Sequence, residues 1–496
     1  MLSKFLITIS VLFSFSYSVM ADKINSNEAN PLSVIDWLSE AYAPDKKKIK
    51  LSTTLSPPLE NAFFIENNTL LHKSWEDSNT EALEKLISIL DYDVNPELLN
   101  LIYKVLISEM GPANDSISSE SLLLIRVNKL IEFGAIEQAQ TLLESANPNS
   151  SLIFERLFDL SLITYTEETT CDRFLNNPSI SSDYKIRIFC LARAGNWQSA
   201  ETTLHASFAL NLISTENYML LMKFLAPENV SEHVIFIPIG LPTFLQYRIL
   251  EAIGEKILGE TLPNSFAHFE LSQNTEWKGR ILASERLIRT GALPFSQLLN
   301  VYQERQLSKS GGVWERVRLI NQLEKILTEG SDLKKLSAFE IANTELISVD
   351  LHGFALTHYT PILLQILKRI QKEPVDINAL IKPQDLEAIS MLNSLSNAEQ
   401  EPTNVNNSSF FSEALTVSDH IQVLDNLTGE YINYSLRDLI SQDKRGEALL
   451  LALNLLKREH YADETKIKQG LKLLLSLGYS KQAEKTALFI SEVNIF

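Results

Sequence analysis

The sequence predicts an all-α protein, an irregular right-handed α-solenoid of helix hairpins, and three observations lead there. Apolar residues recur at helical spacing through most of the chain from about residue 67. Only 16 glycines and 17 prolines occur in 496 residues, too few for an all-β or a largely unstructured chain. A glycine followed five residues later by an alanine recurs at turns between helical stretches.

The first residues point to export. Lys4 precedes an apolar run from Phe5 to Val19, then come the small-x-small triplet Val19-Met20-Ala21 and the polar stretch Asp22–Asn30. This is the layout of a secretory signal peptide over residues 1–21, cut after Ala21. The apolar run is about 15 residues, short of the ~20 that a helix needs to cross a bilayer. No later stretch is long and apolar enough to span, so no membrane span is expected after cleavage, and the expected location is the periplasm.

Residues 22–66 read as a flexible tether. Within it, 31–40 places Leu32, Ile35 and Leu38 on one helical face with Trp37 beside it, a short amphipathic helix. Such a segment folds back on its own body or docks on a partner. The charged run Asp45–Lys50 and the Pro57-Pro58 break separate it from the helical region that begins near residue 67.

A helical-repeat body is expected over 67–392. Glu81–Asp91 carries Leu83, Leu86, Ile87 and Leu90 at helical spacing, and Pro96–Glu109 carries Leu98, Leu99, Ile102, Val105 and Leu106. The repeated turn appears first as Gly134 with Ala139, 61 residues later as Gly195 with Ala200, and near the end as Gly478 with Ala483. Glycine closes one helix in a left-handed cap, and the small alanine on the first inward turn of the next lets the two helices cross closely. That is the hairpin of tetratricopeptide-like arrays, here without their regular period of about 34 residues. Arg445-Gly446-Glu447-Ala448 is a shortened echo of the same turn.

The two cysteines, Cys171 and Cys190, read as one disulfide in an oxidising compartment, with a pair of buried thiols as the alternative. Cys190 falls on a helix over Asp183–Arg193, so a bond staples neighbouring helices. The run Val234–Pro242 is apolar, β-branched and broken by proline, an extended connection. Helices are expected again over Pro242–Leu258 and Thr275–Thr290, with Gly291 as a cap and Pro294 opening the next. Residues 393–412, rich in Asn, Ser, Glu and Gln, read as a disordered loop that divides the body from C-terminal helical hairpins over 413–496.

The net charge of −18 repels phosphate backbones and anionic headgroups, so nucleic acid is not an expected partner. Chemistry-bearing patterns are sparse. His352 and His358 lie six apart, which is not the spacing that puts two ligands on one helical face. His268-Phe269-Glu270 offers an acid/base pair or a capped turn. Ser310-Gly311-Gly312 lacks the downstream Lys-Ser/Thr of a phosphate loop, so it reads as a turn and helix cap. No catalytic residue, metal or cofactor is assigned from the sequence, and enzyme activity is not expected.

Several stretches carry a resemblance to known proteins: Pro31–Ser39, Ile186–Thr203, Glu251–Glu255, Phe266–Leu271 and Ser310–Val317. On these the chain resembles a group of exported alphaproteobacterial helical-repeat proteins, some of them labelled as antifreeze-related. The resemblance spans nearly the whole mature chain and implies export and a helical-repeat fold, and it supplies no catalytic residue. Ice-binding surfaces present flat, repeated Thr or Ala arrays, and none is visible in this sequence. A second likeness is to the helical superhelix of soluble lytic transglycosylases. Their Glu-Ser motif continues into Gly-Leu-Met-Gln, whereas Glu120-Ser121 and Glu144-Ser145 do not.

The function expected from these observations is a periplasmic interaction or scaffold protein that presents a helical-repeat groove to a protein or peptide partner. The alternative is a cell-envelope enzyme or glycan-binding protein acting on peptidoglycan.

Overall fold

The computed structural model describes residues 74–108, 113, 119–144, 150–229, 240–255, 262–272, 275–307, 311–370, 420–424 and 431–493. The signal segment 1–21, the tether with Leu32, Ile35, Trp37 and Leu38, the apolar run 234–239 and the loop 393–412 lie outside the described residues. Among the described residues the fold is all-α: twenty α-helices, a few 3₁₀ turns and one two-stranded hairpin.

The first helices are α1 (Thr80–Ser88), α2 (Pro96–Ile107), α3 (Ser119–Phe133) and α4 (Ile136–Glu144). Next come α5 (Ser151–Ile163), α6 (Glu167–Asn176), α7 (Tyr184–Arg193), α8 (Trp197–Ala209), α9 (Thr215–Leu225) and α10 (Phe244–Ala252). The short α11 (Ala267–Glu270) leads into α12 (Trp277–Arg289), α13 (Phe295–Gln303), α14 (Val313–Glu329), α15 (Asp332–Ile347) and α16 (His352–Ile370). The C-terminal part holds β1 (His420–Leu424) and β2 (Tyr431–Ser435), then α17 (Leu436–Ser441), α18 (Arg445–Leu455), α19 (Glu464–Ser476) and α20 (Ser480–Val493).

Local chemistry starts these helices where they start. Asn79 accepts from the N–H groups of Glu81 and Ala82 ahead of α1, and Asn95 accepts from Leu98 N–H with Pro96 at the first position of α2. Thr243 and Gln246 form a reciprocal capping box on α10. The helix ends are more uniform than the sequence pattern showed. Gly134, Gly195 and Gly478 hold φ of 81°, 78° and 90°. After each, the next N–H donates to the carbonyl five residues back, which closes the helix in a left-handed cap. The same cap recurs at Gly254 and Gly291, and also on Tyr165, Asn211, Asp350 and Asp443, whose φ values lie between 52° and 57°. A search for glycine passes over those last four.

Three hydrophobic cores organise the helices. The central one draws on α1–α4, on the segment around Phe266 and Phe269, and on α18–α20. A first lobe, α5–α10, has its own core of Phe154, Phe158, Phe174, Phe189, Phe224 and Ile249 among others. A second lobe, α12–α16, is built round Tyr302, Ile320, Leu346 and Tyr359. Two helices belong to both the centre and a lobe because each carries two apolar stripes. On α5, Ile153, Leu160 and Ile163 face the centre while Phe154, Phe158 and Leu162 face the first lobe. On α12, Ala283 and Leu287 face the centre while Trp277, Ile281 and Ile288 face the second lobe.

The C-terminal segment departs from its expected separate place. Its helices are preceded by the β1–β2 hairpin, with His420 opposite Ser435 and Leu424 opposite Tyr431. They return to the beginning of the described chain, α18 packing on α1 and α20 on α2. From Gly446 to Leu455 every residue of α18 is buried, the mark of a central helix and not of an outer hairpin. Such closure is long-range contact of a kind that a strictly one-dimensional stack lacks.

The Arg445–Ala448 turn also differs from the other hairpins. Asp443 supplies the left-handed residue, and Gly446 lies inside the first turn of α18, its N–H donating to Ser74 O at 2.6 Å. A Cβ at Gly446 would stand 2.6 Å from that oxygen and from Cδ1 of Trp75. Gly446→Ala is therefore expected to cost about 1–3 kcal/mol of stability by overpacking. Urea unfolding tests it, and an unchanged midpoint would show that Ser74 and Trp75 do not dock there.

Candidate functional site: the buried charged joint of the first lobe

Charges buried in apolar helices are the most distinctive chemistry of the described residues. The largest group sits where the first lobe meets the centre. The α5–α6 connection places Tyr165, whose φ is 57°, directly ahead of Glu167 at the start of α6. From α10, Arg248 reaches it: Arg248 Nη2 donates to Glu167 Oε1 at 2.9 Å, and Nη1 donates to Glu251, a turn further along α10. Side-chain exposure is 0% for Arg248 and 1% for Glu167, so the pair is removed from water. The guanidinium lies over the Tyr165 ring, 4.2 Å from its centroid, and the Tyr165 hydroxyl donates to Glu251 Oε1 at 3.3 Å.

From α7, Arg193 joins the same group. Its Nη2 lies 3.8 Å from Glu167 and 3.2 Å from the exposed Glu168. Arg248 thus faces Glu167 and Glu251, and Arg193 faces Glu167 and Glu168, so two arginines meet three carboxylates, of which Glu168 is exposed to water. Burial pushes the Glu251 carboxyl above its ordinary value, with Arg248 opposing. Burial works against charge on Arg248, but Glu167 and Glu251 outweigh it and hold the guanidinium pKa above the ordinary value. Burial also raises the Tyr165 hydroxyl, with Glu251 adding to it.

The joint continues into the centre through aromatic rings. Tyr247 stacks on Phe269 at 4.3 Å, Tyr165 meets the same ring edge-on at 6.0 Å, and Phe244 packs on Phe266 at 4.7 Å. Next to Phe269, His268 is half-buried and its Nε2 lies 2.6 Å from the carbonyl of Gly134, the cap residue of α3. Burial lowers His268 to about 4, with the Gly134 carbonyl opposing, so the ring is neutral near neutral pH and donates from Nε2. In this geometry His268 closes the end of α3.

Other buried charges do comparable work. In the second lobe Arg316 forms two bonds to Glu285, at 3.0 and 2.8 Å, and Tyr302 donates to the same carboxylate at 2.7 Å. Lys129 donates to the carbonyls of Ser88 and Leu90, and Lys457 to that of Ile89, so two cations cap the end of α1. Arg126 does the same for α2 through Leu106 and Ser108.

The residues singled out by the sequence are spread apart. Ala139, Ala200 and Ala483 are fully buried beside their glycine turns. The Sγ atoms of Cys171 on α6 and Cys190 on α7 stand 2.03 Å apart, at bonding distance. His352 stacks on Phe489, whereas His358 packs against Phe295 and Tyr359, so the two imidazoles have different neighbours. Glu120 accepts from Ser150, and Ser121 donates to Glu84, contacts that tie helices together. Gly311 and Gly312 hold positive φ at the entry to α14. Among the described residues no group of three or more His, Cys, Asp or Glu side chains is placed to hold a metal ion. No described helix is long and apolar enough to cross a membrane.

Sequence reading passed over Glu167, Arg193, Arg248, Glu251, Glu285 and Arg316. A signal existed for some of them: Arg248 is the lone charge in Phe244–Leu250, and Glu285 lies on the apolar face between Ile281 and Ile288. Which charge meets which could not be read. Compared with known proteins, the chain matches no family model, no curated protein and no solved structure.

Proposed function

We propose that the chain is an exported, periplasmic interaction or scaffold protein whose helical body receives a protein or peptide partner. The observation that carries this is a pair of opposites. The buried charged residues of the joint and of the helix caps each bond from helix to helix, while large apolar side chains stand in the open at one end of the first lobe. Leu210 is 68% exposed, Leu241 66% and Leu212 51%. All three lie in turns at the same end, since Gln246 at the start of α10 bonds to Asn217 at the start of α9 at 3.0 Å. Between Thr202 and Thr215, and again from Gly240 to Tyr247, no Asp, Glu, Lys or Arg occurs. In a chain of net charge −18, such an uncharged apolar end suits a partner segment that is itself apolar and not acidic.

The test is capture from envelope extracts with the mature protein and with a Leu210→Asp/Leu241→Asp variant as baits. The expected result is a partner held by the first and lost by the second, its contact then mapped by crosslinking at Leu212. Recovery of nothing specific by either bait, or equal recovery by both, overturns this assignment of the surface.

A further inference from the structure

The disulfide and the charged joint share one interface. Cys171 lies one turn along α6 from Glu167, and Cys190 one turn before Arg193 on α7. The sulfur bridge and the contacts of Arg193 with Glu167 and Glu168 are therefore neighbouring rungs between the same two helices. The ionic rung is incomplete. Nε and Nη1 of Arg193, Oε2 of Glu167 and Nε of Arg248 are all sealed from solvent without a hydrogen-bond partner. Each such buried polar atom is unfavourable, and an arginine free to move would turn to water instead. Something other than the ion pair must keep α7 against α6. The cysteines are 3% and 0% exposed, so the bond lies out of reach of dissolved thiols once the lobe is packed.

We propose that the Cys171–Cys190 bond is a lock set during folding, and that it positions Glu167 for Arg248 and so fastens α10 to α6. Before α6 and α7 close, the two thiols exchange with a protein or small-molecule disulfide. The S–S bond of that oxidant breaks, a new one forms between Cys171 and Cys190, and two protons and two electrons leave the cysteines to give the oxidant as a dithiol. The lobe then closes with Glu167 in register for both arginines. A chain that folds where thiols stay reduced keeps its centre and second lobe, while its first lobe is held loosely.

Hydrogen–deuterium exchange tests this on the oxidised protein and on a Cys171→Ala/Cys190→Ala variant. Peptides from α6, α7 and α10 are expected to exchange at least tenfold faster in the variant, with α14–α16 unchanged. Acceleration confined to α6 and α7 reduces the bond to a local staple and overturns the proposal, as does uniform acceleration of the whole chain. Should the double variant fail to fold, oxidised Glu167→Gln serves instead. There α10 is expected to exchange faster while α6 and α7 stay protected, and an unchanged α10 overturns the coupling.

Discussion

Arg248→Ala is expected to lower folding stability by about 3–5 kcal/mol, the loss typical of removing one partner from a buried ion pair. The size reflects the groups left behind. Glu167, 1% exposed, loses its 2.9 Å donor and keeps only the more distant Arg193, while Glu251 keeps the Tyr165 hydroxyl. The void beneath the Tyr165 ring adds to the loss, because the guanidinium had been packed against it. The pair itself contributes less than its removal costs. Arg248→Met combined with Glu167→Met, which replaces this pair by apolar groups but leaves Glu251 and Arg193 short of a partner, is expected to regain part of the stability. Urea unfolding of the two variants beside the unsubstituted protein checks both halves. A loss below about 1 kcal/mol for Arg248→Ala would mean that the arginine is hydrated and the joint is not buried.

Acid is expected to weaken the same seam through His268. An unfolded chain takes up a proton on this histidine near 6.5, but the folded one does so only near 4. Between those values the unfolded state binds more protons, so stability falls as pH falls. The full gap corresponds to about 3 kcal/mol, lost progressively from about pH 6.5 down to about pH 4. His268→Gln keeps a donor for the Gly134 carbonyl and cannot be charged. Its stability is expected to vary less over that range than that of the unsubstituted protein. Parallel stability–pH curves for the two proteins would rule His268 out as the cause of acid weakening.

Both expectations concern residues that the sequence underplays, and the reason is physical. Periodicity reports which face of a helix is buried, and it reported this well: Leu83, Leu86 and Ile87 on α1, and Leu98, Leu99 and Ile102 on α2, lie in the core. A glycine that must be left-handed leaves a trace because few other residues take that conformation at low cost. Asn211, Asp350 and Asp443 take it because short polar side chains tolerate that conformation, and Tyr165 takes it as well, so a pattern built on glycine leaves no trace there. Buried charges leave only half a trace. The sequence shows that Arg248 interrupts an apolar stretch, but its partner Glu167 is 81 residues away. Nothing local connects them.

Taken alone, the amino-acid order determined the helical class, the caps that rest on Asn, Thr, Pro and Gly, the cysteine pair, and the net charge of −18. These are short-range or additive properties, set by neighbours within a few residues or by simple totals. Tertiary structure decided that α18 returns to the centre of the fold, that α5 and α12 each serve two cores, and that Arg248 is held between Glu167 and Glu251. Those are outcomes of long-range packing. An apolar face can be covered by any complementary surface, and only the closed chain selects which one covers it.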